Sequence, residues 1–126
     1  MTASIGFHMP WPPTLNTYWR HAGHRTLLSA AGREYRAESL ALLADAYPVA
    51  ANPRPLIAGR LAVLLECCPP DRRRRDLDNL PKALLDALTH AGVWGDDSQI
   101  DDLRLVRRGV QENAGVFVTV LEIEQA

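Results

Sequence analysis

Eight aspartates fall between Asp71 and Asp102, with an unbroken run of arginines, Arg72 to Arg75, among them. Asp76 and Asp78 are one residue apart, so in an extended segment both carboxylates point the same way and reach one point in space. Lys82 follows Asp78 by four residues and projects from the same side if a helix begins there, with Asp86 continuing the line. Beyond Ala91, Gly92 and Gly95 bound a short loop that presents Asp96 and Asp97. If that loop folds back, three or four carboxylates meet at one spot, repel one another and need a cation. Oxygen ligands without thiolate or imidazole favour Mg²⁺, or Mn²⁺ in its place, over zinc. Such an ion polarises a phosphate and lowers the pKa of an attacking water, while Lys82 is placed to stabilise charge on the phosphoryl or leaving oxygen.

Each part also has a plainer reading. Aspartates ahead of a helix often cap it. Lys82 and Asp86 could be an ordinary exposed pair, and Asp96-Asp97 a polar turn. The arginine run is either a solvated segment or a phosphate-binding patch. Together the parts are those a phosphodiester-cutting site needs. His21 and His24 lack flanking ligands, so DNA backbone contact or plain surface fits them better than metal binding. His90, near a helix end, suits the helix dipole. Trp11, Tyr18 and Trp19 are either core anchors or stacking surfaces for unpaired bases near a branch point. Trp94 is expected to pin the Asp96-Asp97 loop to the core.

The 126 residues suit one domain over 1–126, and 47% apolar content supports a real core. The net charge of −1 hides adjacent acidic and basic clusters, so it neither favours nor excludes a nucleic-acid partner. Cys67 and Cys68 are adjacent, which disfavours a mutual staple, and no CxxC pair points to zinc; they read as small hydrophobes ending a strand. No apolar run is long enough to span a membrane, and Met1 to Met9 has no signal-peptide pattern, so a cytoplasmic location is expected.

Positioning elements follow from periodicity. Ser4 to Met9 alternates and reads as a strand, stopped by Pro10-Trp11-Pro12-Pro13. Thr14 to Leu27 reads as a polar loop carrying Tyr18, Trp19, Arg20, His21, His24 and Arg25. Ser29 caps a predicted helix to about Tyr47, with Tyr35, Leu42, Leu43 and Ala46 on one face. Pro48 to Pro55 is a breaker-rich connection. Ile57 to Cys67 reads as a buried strand ended by Pro69-Pro70. A helix from roughly Asn79 to Ala91 carries Leu80, Leu84, Ala87, Leu88 and Ala91 at helical spacing, with Pro81 in its first turn and Gly92 at its C-cap. Leu103 to Val110 and Val116 to Ile123 read as two strands joined as a hairpin through residues 111–115. The order β-α-β-α-β-β predicts a two-layer α+β domain, a small mixed sheet with helices packed on one face.

The string Asp71-Arg72-Arg73-Arg74-Arg75-Asp76-Leu77-Asp78-Asn79-Leu80, then Lys82, then Ala91-Gly92-Val93-Trp94-Gly95-Asp96-Asp97-Ser98-Gln99 resembles the RusA family of Holliday junction resolvases. The opening Pro10-Trp11-Pro12-Pro13, Asn16, Tyr18 and Arg20 is similar too. The resemblance implies a homodimeric, Mg²⁺-dependent endodeoxyribonuclease that nicks four-way junctions in DNA recombination and repair. By position, Asp76, Asp78 and Asp97 are the implied essential acids and metal ligands, with Asp96 beside them and Lys82 as the catalytic lysine. Arg72, Arg73, Arg74 and Arg75 are implied junction-phosphate contacts, and Asn79 and Arg20 are expected DNA contacts. The rival readings are a non-catalytic branched nucleic-acid-binding module and a Mg²⁺-dependent phosphatase or nucleotide hydrolase.

Overall fold

Alternation of Ile5, Phe7 and Met9 produces strand β1, Ser4–Met9, with Phe7 and Met9 buried. The computed structural model describes residues 4–47, 55–110 and 113–123. Most of the Pro48 to Pro55 connection, and Gln111 and Glu112 of the expected hairpin turn, lie outside the described residues. The elements that follow β1 are helix α1 (Leu15–Tyr18), strands β2 (Trp19–Ala22) and β3 (Arg25–Leu28), helix α2 (Ala30–Ala46), strand β4 (Leu61–Cys68), helix α3 (Pro81–Ala91), and strands β5 (Ile100–Arg107) and β6 (Gly115–Glu122). Two 3₁₀ turns, Leu77–Asn79 and Asp97–Gln99, precede α3 and β5.

The main sheet is four-stranded in the order β1-β6-β4-β5. β6 runs antiparallel to both β1 and β4, while β5 runs parallel to β4. The expected mixed sheet is present, but the expected hairpin between the last two strands is not. β6 instead inserts between β1 and β4, where its alternating Val116, Val118 and Val120 face Met9, Phe7 and Ile5 on one side and Cys67, Leu65 and Val63 on the other. A parallel pair needs a crossover, and α3 with its flanking turns supplies it between β4 and β5.

One face of the sheet is dry and the other is open. Leu61, Val63, Leu65 and Cys67 of β4 pack with Leu84, Ala87 and Leu88 of α3 and with Tyr35 and Leu43 of α2 in a single core. Across β6 the alternate positions Phe117 and Leu121 are 45% and 43% exposed on the opposite face. This is the predicted two-layer α+β arrangement, with the helices on one face.

Three local readings need correction. Thr14 to Leu27 is not plain loop: it forms α1 and most of a two-stranded hairpin, Trp19 paired with Leu28 and Ala22 with Arg25. Its apolar residues Trp19, Leu27 and Leu28 sit at the strand ends and the exposed Arg20, His21, Arg25 and Thr26 between them, so no apolar alternation marks the strands. On α2 the inward line is Tyr35, Ser39 and Leu43, a strict four-residue repeat, while Leu42 and Ala46 face out. The strand expected from Ile57 starts at Leu61, since the Ile57 N–H bonds the Val93 carbonyl.

Geometry requires glycine at two positions around α2 and α3. Gly92 ends α3 with φ +86°, donating to the Leu88 and Thr89 carbonyls in the left-handed conformation that glycine adopts without strain. Gly32 lets α2 press on α1, for a Cβ there would sit 2.4 Å from the Tyr18 carbonyl oxygen. Among the described residues no helix is long and apolar enough to cross a membrane.

Candidate active site

Asp76 and Asp78 sit at the 3₁₀ turn that feeds α3. Among the described residues neither carboxylate caps a helix end: the turn has no side-chain cap bond, and the N-cap position of α3 is Leu80, also without one. Pro81 at the start of α3 lacks an N–H to be satisfied. The capping reading of Asp78 therefore does not describe this turn. Lys82 is exposed in the first turn of α3, and Asp86, four residues on, turns to other partners. Arg36 Nε and Nη2 donate to its two carboxylate oxygens at 2.8 and 3.0 Å, and the Tyr18 hydroxyl donates to it as well.

The second pair of acids is held by a different device. Trp94 is fully buried, and its indole N–H donates to the Thr89 hydroxyl at 2.6 Å, which pins the chain after α3 as expected. Gln99 then clamps the loop from the far side. Its Oε1 accepts from the Gly95 and Asp96 N–H groups at 2.8 and 3.0 Å, while its Nε2 donates to the Gly59 carbonyl at 2.9 Å. With the Asp96 side chain accepting from Ser98 N–H, this is a reciprocal capping box.

Asp96 and Asp97 perturb each other. The Asp97 carboxyl is pushed up, first by its hydrogen bond with Asp96, then by burial and by the charges of Asp96 and Asp86. The Asp96 carboxyl is pulled down, first by the Ser98 backbone N–H and then by Asp97. Crowded carboxylates of this kind are relieved by a cation.

Pairing divides the eight aspartates of this stretch into two sets of four. Asp71 pairs with Arg73 and Arg75, Asp86 with Arg36, Asp101 with Arg60, and Asp102 with Arg104. Asp76, Asp78, Asp96 and Asp97 are exposed and have no ion pair among the described residues. Carboxylates are the hard oxygen donors that a divalent ion takes, but these four sit as two pairs on separate turns.

The two unpaired sets lie on turns at opposite ends of α3, an 11-residue helix and so about 16 Å long. Asp86 lies midway along α3, and its charge adds to those that push the Asp97 carboxyl up. Among the described residues, no three His, Cys, Asp or Glu side chains gather as a metal cage.

The arginine run divides as well. Arg75 is half-buried: it donates to the Asp71 carboxylate at 2.7 Å and lies 5.6 Å over the Trp11 ring. Its carbonyl accepts from Arg107, which ties the loop to the end of β5. Arg72, Arg73 and Arg74 are exposed. In the hairpin Arg20, His21, His24 and Arg25 are all exposed, Tyr18 is fully buried, and Trp11 and Trp19 are partly buried against the core. Cys67 is buried and Cys68 half-buried at the end of β4; both are free thiols, and burial pushes the Cys67 thiol up to about 11.

Sequence reasoning did not single out Arg36, or Gln99 as a positioning residue. Gln99 had a signal, since Asp96-x-x-Gln99 is a capping-box pattern. Arg36 had none, because its partner lies fifty residues away.

A family model described as Endodeoxyribonuclease RusA matches residues 10–121. Proteins named crossover junction endodeoxyribonuclease RusA from Escherichia coli and Shigella sonnei are each 42% identical over 115 residues, covering 91% of this chain and 92% of theirs. The protein of that name from Enterobacteria phage 82 matches at the same identity and coverage. With that match spanning most of the fold and both acidic turns, the chain belongs to the RusA family of endodeoxyribonucleases. It is a hydrolase of DNA phosphodiester bonds.

Proposed function

We propose that the chain resolves Holliday junctions by paired, symmetric nicks, acting in the cytoplasm as a Mg²⁺-dependent homodimer. The names of its relatives, crossover junction endodeoxyribonucleases, support the substrate. The observation that carries the chemistry is the division among the aspartates. In a stretch where the other four aspartates have a cationic partner, Asp76, Asp78, Asp96 and Asp97 have none among the described residues.

Asp76, Asp78 and Asp97 would hold the ion, with Asp96 in support. When bound, Mg²⁺ polarises the scissile phosphate and makes water a stronger nucleophile, with Mn²⁺ able to substitute. Lys82 meets the charge that develops on the phosphoryl or leaving oxygen, because its ammonium is exposed and its neighbour Asp86 is engaged by Arg36. Arg72, Arg73 and Arg74 neutralise flanking phosphates, and Asn79 and Arg20 contact the same DNA. Arg75 holds the loop that presents them. Cleavage leaves a 5′-phosphate and a 3′-hydroxyl.

Two arguments support a dimer. A four-way junction is close to two-fold symmetric, and a C₂ pair supplies two equivalent sites at fixed spacing. Within one chain the acids are also split between the two ends of α3, so a second copy offers carboxylates to complete each set.

Cutting of a synthetic four-way junction, the matching linear duplex and free nucleotides, each with Mg²⁺ or with EDTA, tests the reading. We expect paired nicks in the junction with Mg²⁺, little action on the other substrates, and a dimer by sedimentation. Binding of the junction without nicking would leave a non-catalytic module, and preference for free nucleotides would leave a nucleotide hydrolase.

A further inference from the structure

A cleft of about 350 Å³ opens directly beside Asp76, walled by Trp11, Arg74, Arg75 and Asn79. Its size is near the lower end of the range for small-molecule sites, roughly 300–1,000 Å³. We propose that it takes one unstacked nucleobase from the nucleotide next to the scissile phosphate, with Trp11 as the stacking surface. The proposal rests on the nuclease reading of Asp76 and extends it to a base contact.

Four features of the cleft fit a base. Trp11 is fixed rather than floppy, since it packs against the core and Arg75 lies across it at 5.6 Å. Arg75 is itself held by its 2.7 Å bond to Asp71, so the indole and the guanidinium over it form a pre-ordered wall of the cleft. That wall separates this cleft from a second one lined by Arg72, Arg73 and Arg107. A backbone following the basic cleft would therefore pass the wall and could turn one base in behind it. The wall also suits stacking on aromatic and guanidinium planes, which tolerates any base.

Polar groups at the rim add discrimination. Asn79 is exposed, and among the described residues its amide has no recorded partner, which leaves a donor and an acceptor for a base edge. Arg74 is exposed and has no ion pair among the described residues, so it is available to the adjoining phosphate. Asp76 lies on the same wall, which places any base in the cleft next to the acidic turn where the phosphate would be cut.

The test uses the full chain with Mg²⁺ on junctions that carry a single abasic residue, walked through the nucleotides flanking the cut. Single-turnover rates are compared for wild type, Trp11→Leu and Trp11→Phe. One abasic position should slow the wild type by about 5- to 100-fold, the loss of one base–aromatic stack. Trp11→Leu should slow the intact junction by a similar factor and be indifferent to that abasic position, and Trp11→Phe should recover most of the rate. The proposal is overturned if wild type tolerates every abasic position, or if the abasic and Trp11→Leu losses multiply. It is also overturned if Trp11→Phe is as slow as Trp11→Leu while keeping abasic sensitivity, which marks Trp11 as structural. Failure of the wild type to cut the intact junction would instead remove the nuclease reading itself.

Discussion

Arg36 of α2 grips Asp86 of α3 through two parallel hydrogen bonds of 2.8 and 3.0 Å, and this fork takes Asp86 out of the acidic site. The pair is about three-quarters buried, with side-chain exposures of 24% and 26%. Such a pair costs more to break than a surface bridge, because one charge is left without its partner. Arg36→Ala should lower unfolding stability by about 1–3 kcal/mol, between the surface and fully buried cases, as read by urea denaturation. An unchanged midpoint would mean that the fork does not hold α2 to α3.

With Asp86 engaged by Arg36, Lys82 has no ion pair among the described residues, in keeping with the role proposed for it. Lys82→Ala should slow junction cutting by about 10²–10³, the usual loss for one transition-state donor, with no change in melting temperature. Normal turnover with a lowered melting temperature would make the residue structural.

Gln99 positions the Asp96-Asp97 loop without itself being an expected ligand. Gln99→Ala removes the acceptor for the Gly95 and Asp96 N–H groups and the tie to Gly59. We expect the Mg²⁺ concentration for half-maximal cutting to rise about 10-fold, as for other residues that orient ligands. A loss of stability with an unchanged Mg²⁺ requirement would show that the clamp serves the fold alone.

The fold was legible where periodicity is local, and less so where pairing is not. β1, α3, the Ser29 cap of α2 and the Gly92 cap of α3 follow from alternation, four-residue spacing and cap chemistry within a few residues. The neighbours of β5 and β6 do not, since a half-buried strand shows the same alternation whether it joins a hairpin or inserts between distant strands. The same limit applies to the site. The residue types and spacing of Asp76, Asp78, Lys82, Asp96 and Asp97 point to metal chemistry. Which aspartates remain unpaired depends in part on Arg36 and Arg60, whose partners are fifty and forty-one residues away and are set by the tertiary fold.

The arginine loop should carry its own pH signature. Arg75 beside Asp71 holds that carboxyl down, from 3.8 to about 2. A depressed carboxylate contributes its stability above the ordinary value and loses it as the pH falls through the depressed one. The stability difference between wild type and Asp71→Asn should therefore be present at neutral pH and close between roughly pH 4 and pH 2. Because the group is exposed, added salt should shrink the difference. A difference that persists unchanged below pH 2 would separate Asp71 from Arg75.

The central claim is that the unpaired aspartates hold the catalytic ion while the paired ones hold the fold. It is tested most directly by cutting rates on a four-way junction for Asp78→Asn beside Asp101→Asn, with junction binding measured for both. Asp101 is the matched control, since its carboxylate is bonded to Arg60 at 3.1 Å. Asp78→Asn should abolish cutting and leave binding largely intact, whereas Asp101→Asn should cut at close to the wild-type rate. Wild-type cutting by Asp78→Asn would contradict the account and place the site elsewhere.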